Sequence, residues 1–92
     1  MTTITASARP AIARGLRLQW EPAQQAHVLL YPEGMIKLNS SAGEIMKRCD
    51  GKRTLTDITS DLEQAFSATE LAKDVEAFVA MAVEKHWLEI QP

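Results

Sequence analysis

The stretch Val28-Leu29-Leu30-Tyr31-Pro32-Glu33-Gly34-Met35-Ile36-Lys37-Leu38 decides the fold. Two apolar runs, Val28 to Tyr31 and Met35 to Leu38, flank Pro32-Glu33-Gly34, which reads as a tight hairpin loop and not as a linker. Proline presets φ at the first turn position and Glu33 takes the second. Gly34 supplies the left-handed conformation that closes a three-residue hairpin with a bulge. The front half of the chain is thereby predicted to be a small sheet.

Working upstream, Leu16, Leu18 and Trp20 alternate with Arg17 and Gln19, the period of a strand with one buried face. Pro22 lies in a turn over 21–24, Ala26 to Tyr31 form the second strand and Met35 to Leu38 the third. Short connections imply an antiparallel meander whose first and third strands are edges. Residues 1–13, MTTITASARPAIA, keep no period and read as a flexible N-terminal arm ahead of one domain spanning 14–92.

Downstream, the pattern changes to helical. Asn39, Ser40 and Ser41 are three candidate N-caps, and Ser41 with Glu44 fits a reciprocal capping box. Ala42, Ile45, Met46 and Cys49 then form one apolar stripe, with Gly51 placed to end the helix. Thr54 with Asp57 opens a second helix whose core face is Leu55, Ile58, Leu62, Ala65 and Phe66. Ser67 with Glu70 opens a third, whose stripe of Leu71, Val75, Phe78, Val79, Ala82 and Val83 is wider than two short helices require, so part of it is expected to face a groove. Trp87, Leu88 and Ile90 close the chain as a short strand or docked tail. The fold class is α+β, a three-stranded antiparallel sheet followed by three helices, with the look of a winged helix-turn-helix.

Composition narrows the function. A chain of 92 residues with 46% apolar and 24% charged side chains is an ordinary globular domain, and no apolar run approaches the ~20 residues of a membrane span. There is no secretory signal pattern and the single Cys49 has no internal disulfide partner, which points to the cytoplasm. Residues 1–21 and 22–53 each carry a charge of +2, whereas 54–92 carry −6. The acidic third helix, with Glu70, Asp74 and Glu76 against Lys73, argues against a nucleic-acid groove.

Catalytic or metal chemistry needs clustered ligands or a nucleophile beside a base, and this chain has one cysteine and two separated histidines, His27 and His86. Cys49 falls on an apolar stripe and reads as core. The four glycines include no phosphate loop. No enzyme activity, cofactor or metal is expected. Binding remains. An extended peptide can add to the open edge of the third strand, with its side chains in a groove against the third helix. The same edge can instead be covered by the arm or by a second copy of the chain. The residues alone leave peptide binding, a winged-helix nucleic-acid role and a structural dimerisation role open.

Arg17-Leu18, Leu29-Leu30-Tyr31-Pro32-Glu33-Gly34, Leu38-Asn39, Ala42, Cys49-Asp50-Gly51 followed by Thr54, and Asp74-Val75 with Phe78 resemble, in order and spacing, the pyrroloquinoline quinone (PQQ) biosynthesis protein D family. The resemblance spans residues 10–88. It implies a non-catalytic peptide chaperone of the leader-peptide recognition type. Such a protein binds the ribosomally made PQQ precursor peptide by strand addition and presents it to a radical S-adenosylmethionine (SAM) crosslinking enzyme. Carried onto this sequence, it assigns Met35, Ile36, Lys37 and Leu38 to the pairing edge and Val75, Phe78, Val79 and Ala82 to the groove, with Lys37 attracting an acidic leader. On that assignment Val79→Asp abolishes peptide binding without unfolding the domain. An unoccupied edge also predicts a homodimer at high concentration. Lys47, Arg48, Lys52 and Arg53 form a candidate surface for docking the enzyme.

Overall fold

The computed structural model describes residues 4–91. Five strands and three helices follow one another as β1 (Arg9–Ile12), β2 (Arg17–Glu21), β3 (Ala26–Tyr31), β4 (Gly34–Lys37), α1 (Ser40–Met46), α2 (Leu55–Ala65), α3 (Ala72–Glu84) and β5 (Leu88–Gln91). The predicted meander is present as an antiparallel sheet in the order β2-β3-β4. Its register places Leu18, Leu29 and Ile36 in one row, and strand alternation sends them to the same face. That face carries the helices: Leu29 is fully buried and joins Met46, Ile58, Leu62, Val79 and Leu88 in one core. Each such side chain contributes roughly 1.5–3 kcal/mol by leaving water.

The hairpin loop is one residue shorter than expected. Tyr31 pairs with Gly34, so only Pro32 and Glu33 lie outside the ladder, and Gly34 (φ 159°) opens β4 instead of closing a bulge in the left-handed region.

The arm expected over 1–13 is corrected for the described part. Arg9–Ile12 pair antiparallel with β5 in a second sheet, and Ile4, Pro10 and Ala13 are buried. Residues 1–3 lie outside the described residues. Pro10 fits because Ala13 N–H bonds Trp87 O (2.9 Å), which in this register aims the nitrogen of Pro10 away from β5, so the missing donor costs no ladder bond. The other edge of β1 is closed by the chain beyond α1, where Gly51 N–H donates to Pro10 O (2.9 Å). Gly51 stands at φ 80° with a β-carbon position only 3.2 Å from Ala11 Cβ, so it serves this crossing and not the end of α1.

Helix starts divide into local and non-local cases. At α2 the capping box of Thr54 and Asp57 is present, with both bonds at 3.1 Å. At α1 the cap is Asn39, whose Oδ1 accepts from Ala42 N–H (2.8 Å); Ser41 lies inside the helix, and the carboxylate of Glu44 pairs with Arg48 and Lys47. At α3 the proposed Ser67–Glu70 box does not form: both residues have left-handed backbones (φ 51° and 59°), and α3 begins only at Ala72. The free N–H of Leu71 is met by Glu63 Oε2 reaching over from α2 (3.0 Å), an acid placed at the positive end of the helix. At its other end α3 closes in a Schellman pair, Trp87 N–H to Ala82 O (2.8 Å) and His86 N–H to Val83 O (3.0 Å), with His86 left-handed (φ 64°).

Candidate functional site: the open edge of β4

Among the described residues β4 pairs with β3 alone, which leaves its outer edge bare. Leu38 N–H donates to His27 O (2.9 Å), and the register then makes Ile36–Leu29 and Gly34–Tyr31 the hydrogen-bonded pairs. The backbone N–H and C=O of Met35 and Lys37 therefore point outward. They form a ladder of two donors and two acceptors, the minimum for an added strand. The side chains of Met35 (57% exposed) and Lys37 stand on the outer face, whereas Ile36 is half-buried against the core.

The eight residues proposed from sequence separate into two groups. Met35, Ile36, Lys37 and Phe78 retain exposure. Leu38, Val75, Val79 and Ala82 are core, at 4%, 2%, 0% and 0% exposure; Leu38, Val79 and Ala82 offer no surface to a partner, and Val75 lines a cleft between the helix ends. The wide stripe of α3 is wide because it meets more than two helices: α3 also packs on β5, the short strand that was one of the two forms expected for the end of the chain. A charge at Val79 would thus be placed in the core, so Val79→Asp reports folding and not peptide contact.

A cleft of about 410 Å³ opens where the start of α1, the end of α2 and the start of α3 converge. Ile45, Leu62, Leu71 and Val75 line it, Ser40 and Ser41 border it just past β4, and Phe66 and Asp74 stand on it. Phe66, expected in the core face of α2, is 54% exposed here. One signal for this cleft is visible in the sequence, an apolar residue, Phe66, continuing the stripe of α2 just past its end.

The basic residues around the end of α1 are tied internally. Arg48 is buried, donates through Nη1 to Glu44 O and Oε1 (2.8 Å each) and through Nε to Asp61, and so joins α1 to α2. Arg53 lies 3.7 Å from Asp50 and 3.9 Å from Asp61, and Lys47 3.4 Å from Glu44. The Arg48 hydrogen bonds hold the carboxyls of Glu44 and Asp61 below their ordinary values, and the backbone N–H groups of Arg53 and Lys52 do the same for Asp50. Three of the four cations proposed for docking an enzyme are therefore already paired.

Cys49 donates Sγ–H to Ile45 O (3.2 Å), and burial, with Asp50 nearby, pushes its thiol up to about 12. It is a core residue and not a nucleophile at neutral pH. Among the described residues no group of three or more His, Cys, Asp or Glu is arranged to hold a metal ion, and no helix is long and apolar enough to cross a membrane.

The sequence profile of the family described as coenzyme PQQ synthesis protein D (PqqD) matches residues 26–88. A protein of Stutzerimonas stutzeri named PqqA binding protein is 47% identical over 92 residues, covering 99% of this chain and 100% of that one. The solution structure of the PqqD truncation of Methylobacterium extorquens PqqCD, described as a functional, stand-alone recognition element for ribosomally synthesised and modified peptides, superposes with a TM-score of 0.73. It shares 31% identity and covers 96% of each chain. The crystal structure of PqqD from Xanthomonas campestris gives 0.57 at 32% identity, covering 95% of this chain and 99% of that one.

Proposed function

The chain belongs to the coenzyme PQQ synthesis protein D family, and from that premise we propose that it is a peptide chaperone of PQQ biosynthesis that binds the precursor peptide along β4. The observation that carries this reading is the bare edge of β4, with the backbone groups of Met35 and Lys37 turned outward. A peptide strand laid there gains up to four backbone hydrogen bonds, each contributing about 0.5–1.5 kcal/mol net. Ile36 and Phe78, half-buried on the same core, supply the apolar contacts beside it. Leu38, Val75, Val79 and Ala82 are buried members of that core. Lys37 attracts acidic residues of the peptide.

The protein holds the peptide for a radical SAM enzyme and performs no chemistry itself, in the cytoplasm. The exposed, acidic first turns of α3 disfavour nucleic acid as the partner: Lys73 is outnumbered by Asp74 and Glu76. A second copy of the chain can use the same edge when peptide is absent, so dimer and peptide complex compete.

Met35→Pro tests the reading. Proline is tolerated where the N–H faces outward, so the β3–β4 ladder survives while one donor to the added strand is lost and its ring obstructs the approach. Titration of the peptide followed by backbone amide shifts is expected to show affinity reduced by roughly tenfold or more, with the rest of the spectrum unchanged. Undiminished binding by a folded Met35→Pro protein would exclude strand addition at β4.

A further inference from the structure

We infer that the cleft at the head of α3 takes one large apolar side chain of the bound peptide, with a lysine or arginine of that peptide set against Asp74; the inference rests on the peptide-binding reading above. The remainder of the core is closed, with Ile58, Val79 and Ala82 at 0% exposure, yet about 410 Å³ stands open between Ile45, Leu62, Leu71 and Val75. That size lies in the range of small-ligand sites, roughly 300–1,000 Å³, and accommodates a bulky side chain. Phe66, half exposed on the cleft, gives an entering side chain an aromatic face.

Continuity and charge identify the occupant. Ser40 and Ser41 border the cleft and follow Lys37, the last residue of β4, by three and four positions. Four residues of chain span at most roughly 15 Å, so the rim of the cleft at Ser41 lies within reach of about five extended peptide residues beyond Lys37. One peptide is therefore long enough to reach both features. Glu44, also on the cleft, is neutralised by Arg48 and Lys47. Asp74 is exposed there, and among the described residues no cation pairs with it. An apolar socket beside an unpaired carboxylate selects an apolar residue with a basic neighbour, which fixes the register that two outward residues on β4 leave free.

The test is calorimetric titration of the full chain with the synthetic precursor peptide and its single alanine variants. Two protein variants are used: Ala68→Phe, which places a ring in the cleft from its wall, and Asp74→Lys on the exposed rim. Ala68→Phe is expected to weaken the parent peptide roughly tenfold. One apolar position of the peptide should lose about tenfold on alanine substitution with the parent protein, and less than about twofold with Ala68→Phe. Asp74→Lys should cost about three- to fivefold at low salt, recovered when the neighbouring basic residue of the peptide becomes glutamate. Asp74→Lys, being on the surface, also decides the matter if Ala68→Phe does not fold. Parent affinity in both variants, with Met35→Pro still impaired, would overturn the cleft while leaving strand addition intact. Loss in the cleft variants with Met35→Pro unimpaired would do the reverse. Loss of self-association by Ala68→Phe with peptide affinity unchanged would assign the cleft to a second copy of the chain and overturn the inference.

Discussion

Gly43 of α1 lies directly on His27 of β3: a β-carbon built at Gly43 would stand 2.8 Å from His27 Nδ1 and 3.2 Å from its Cβ. The imidazole is itself set edge-on to Trp20, with ring centroids 5.0 Å apart, so it is confined from two sides. Here α1 meets the sheet. Gly43→Ala gains about 1 kcal/mol of helix propensity but overpacks the contact by roughly 1–3 kcal/mol. We expect a net loss of stability in urea unfolding, and its removal when His27 is also changed to alanine. A stabilised single variant would show that His27 has room to turn away.

Arg48 fastens α1 to α2 through Glu44 and Asp61. The carboxyls of Glu44, Asp50 and Asp61 are all lowered on folding, from ordinary values of 4.5, 3.8 and 3.8. A depressed carboxyl stabilises the fold above its unfolded value, and that stabilisation disappears as pH falls through the folded value. Stability is therefore expected to hold above about pH 5 and to decline below about pH 4. Arg48→Met removes a charged hydrogen-bonding group and is expected to cost about 1.5–3 kcal/mol at neutral pH and to flatten the acid limb. An acid limb identical to that of the parent would remove this network from the cause.

The parts of the fold that sequence made legible are those settled within a few residues. The β3–β4 hairpin, the Thr54–Asp57 box and the stripe of Ala42, Ile45, Met46 and Cys49 each need only local geometry. What escaped is non-local. Arg9–Ile12 pair with a strand about eighty positions away and carry a proline and small side chains, which show no period. Glu63 starts α3 from another helix, which no capping pattern can display. For the site, the edge at β4 was legible from strand order. Whether Val75 and Val79 lined a groove or a core was not, because periodicity names a buried face without naming what buries it. The cleft joins three helix ends, and Phe66 alone hinted at it.

The N-terminal segment supplies a direct test of its place in the core. Ile4 is 7% exposed, and the carbonyls of Ala6 and Ala8 accept from Thr56 N–H (3.2 Å) and Leu55 N–H (3.0 Å) at the start of α2. Deleting residues 1–8 exposes these donors and opens the site of Ile4. Ile4→Ala is expected to cost about 2 kcal/mol in urea unfolding, and the deletion more. A mobile arm would lose nothing in either case.

Cys49 connects stability to binding in one measurement. Its thiol is 3% exposed and pushed up to about 12, first by burial and then by Asp50, so in the folded protein at pH 8 it is both covered and protonated. A thiol reagent should label it only through opening of the core, far more slowly than in urea. Because the folded value is raised, the contribution of Cys49 to stability is complete below its unfolded value and is lost as pH rises toward the folded one, so labelling should accelerate beyond the gain in thiolate alone above about pH 9. A precursor peptide that binds only the folded form adds about 2.7 kcal/mol at a hundred times its Kd, and labelling by global opening should slow about a hundredfold. Met35→Pro, tested at the same peptide concentration, should lose most of that protection while labelling at the parent rate without peptide. Protection equal to that of the parent would place the peptide somewhere other than β4.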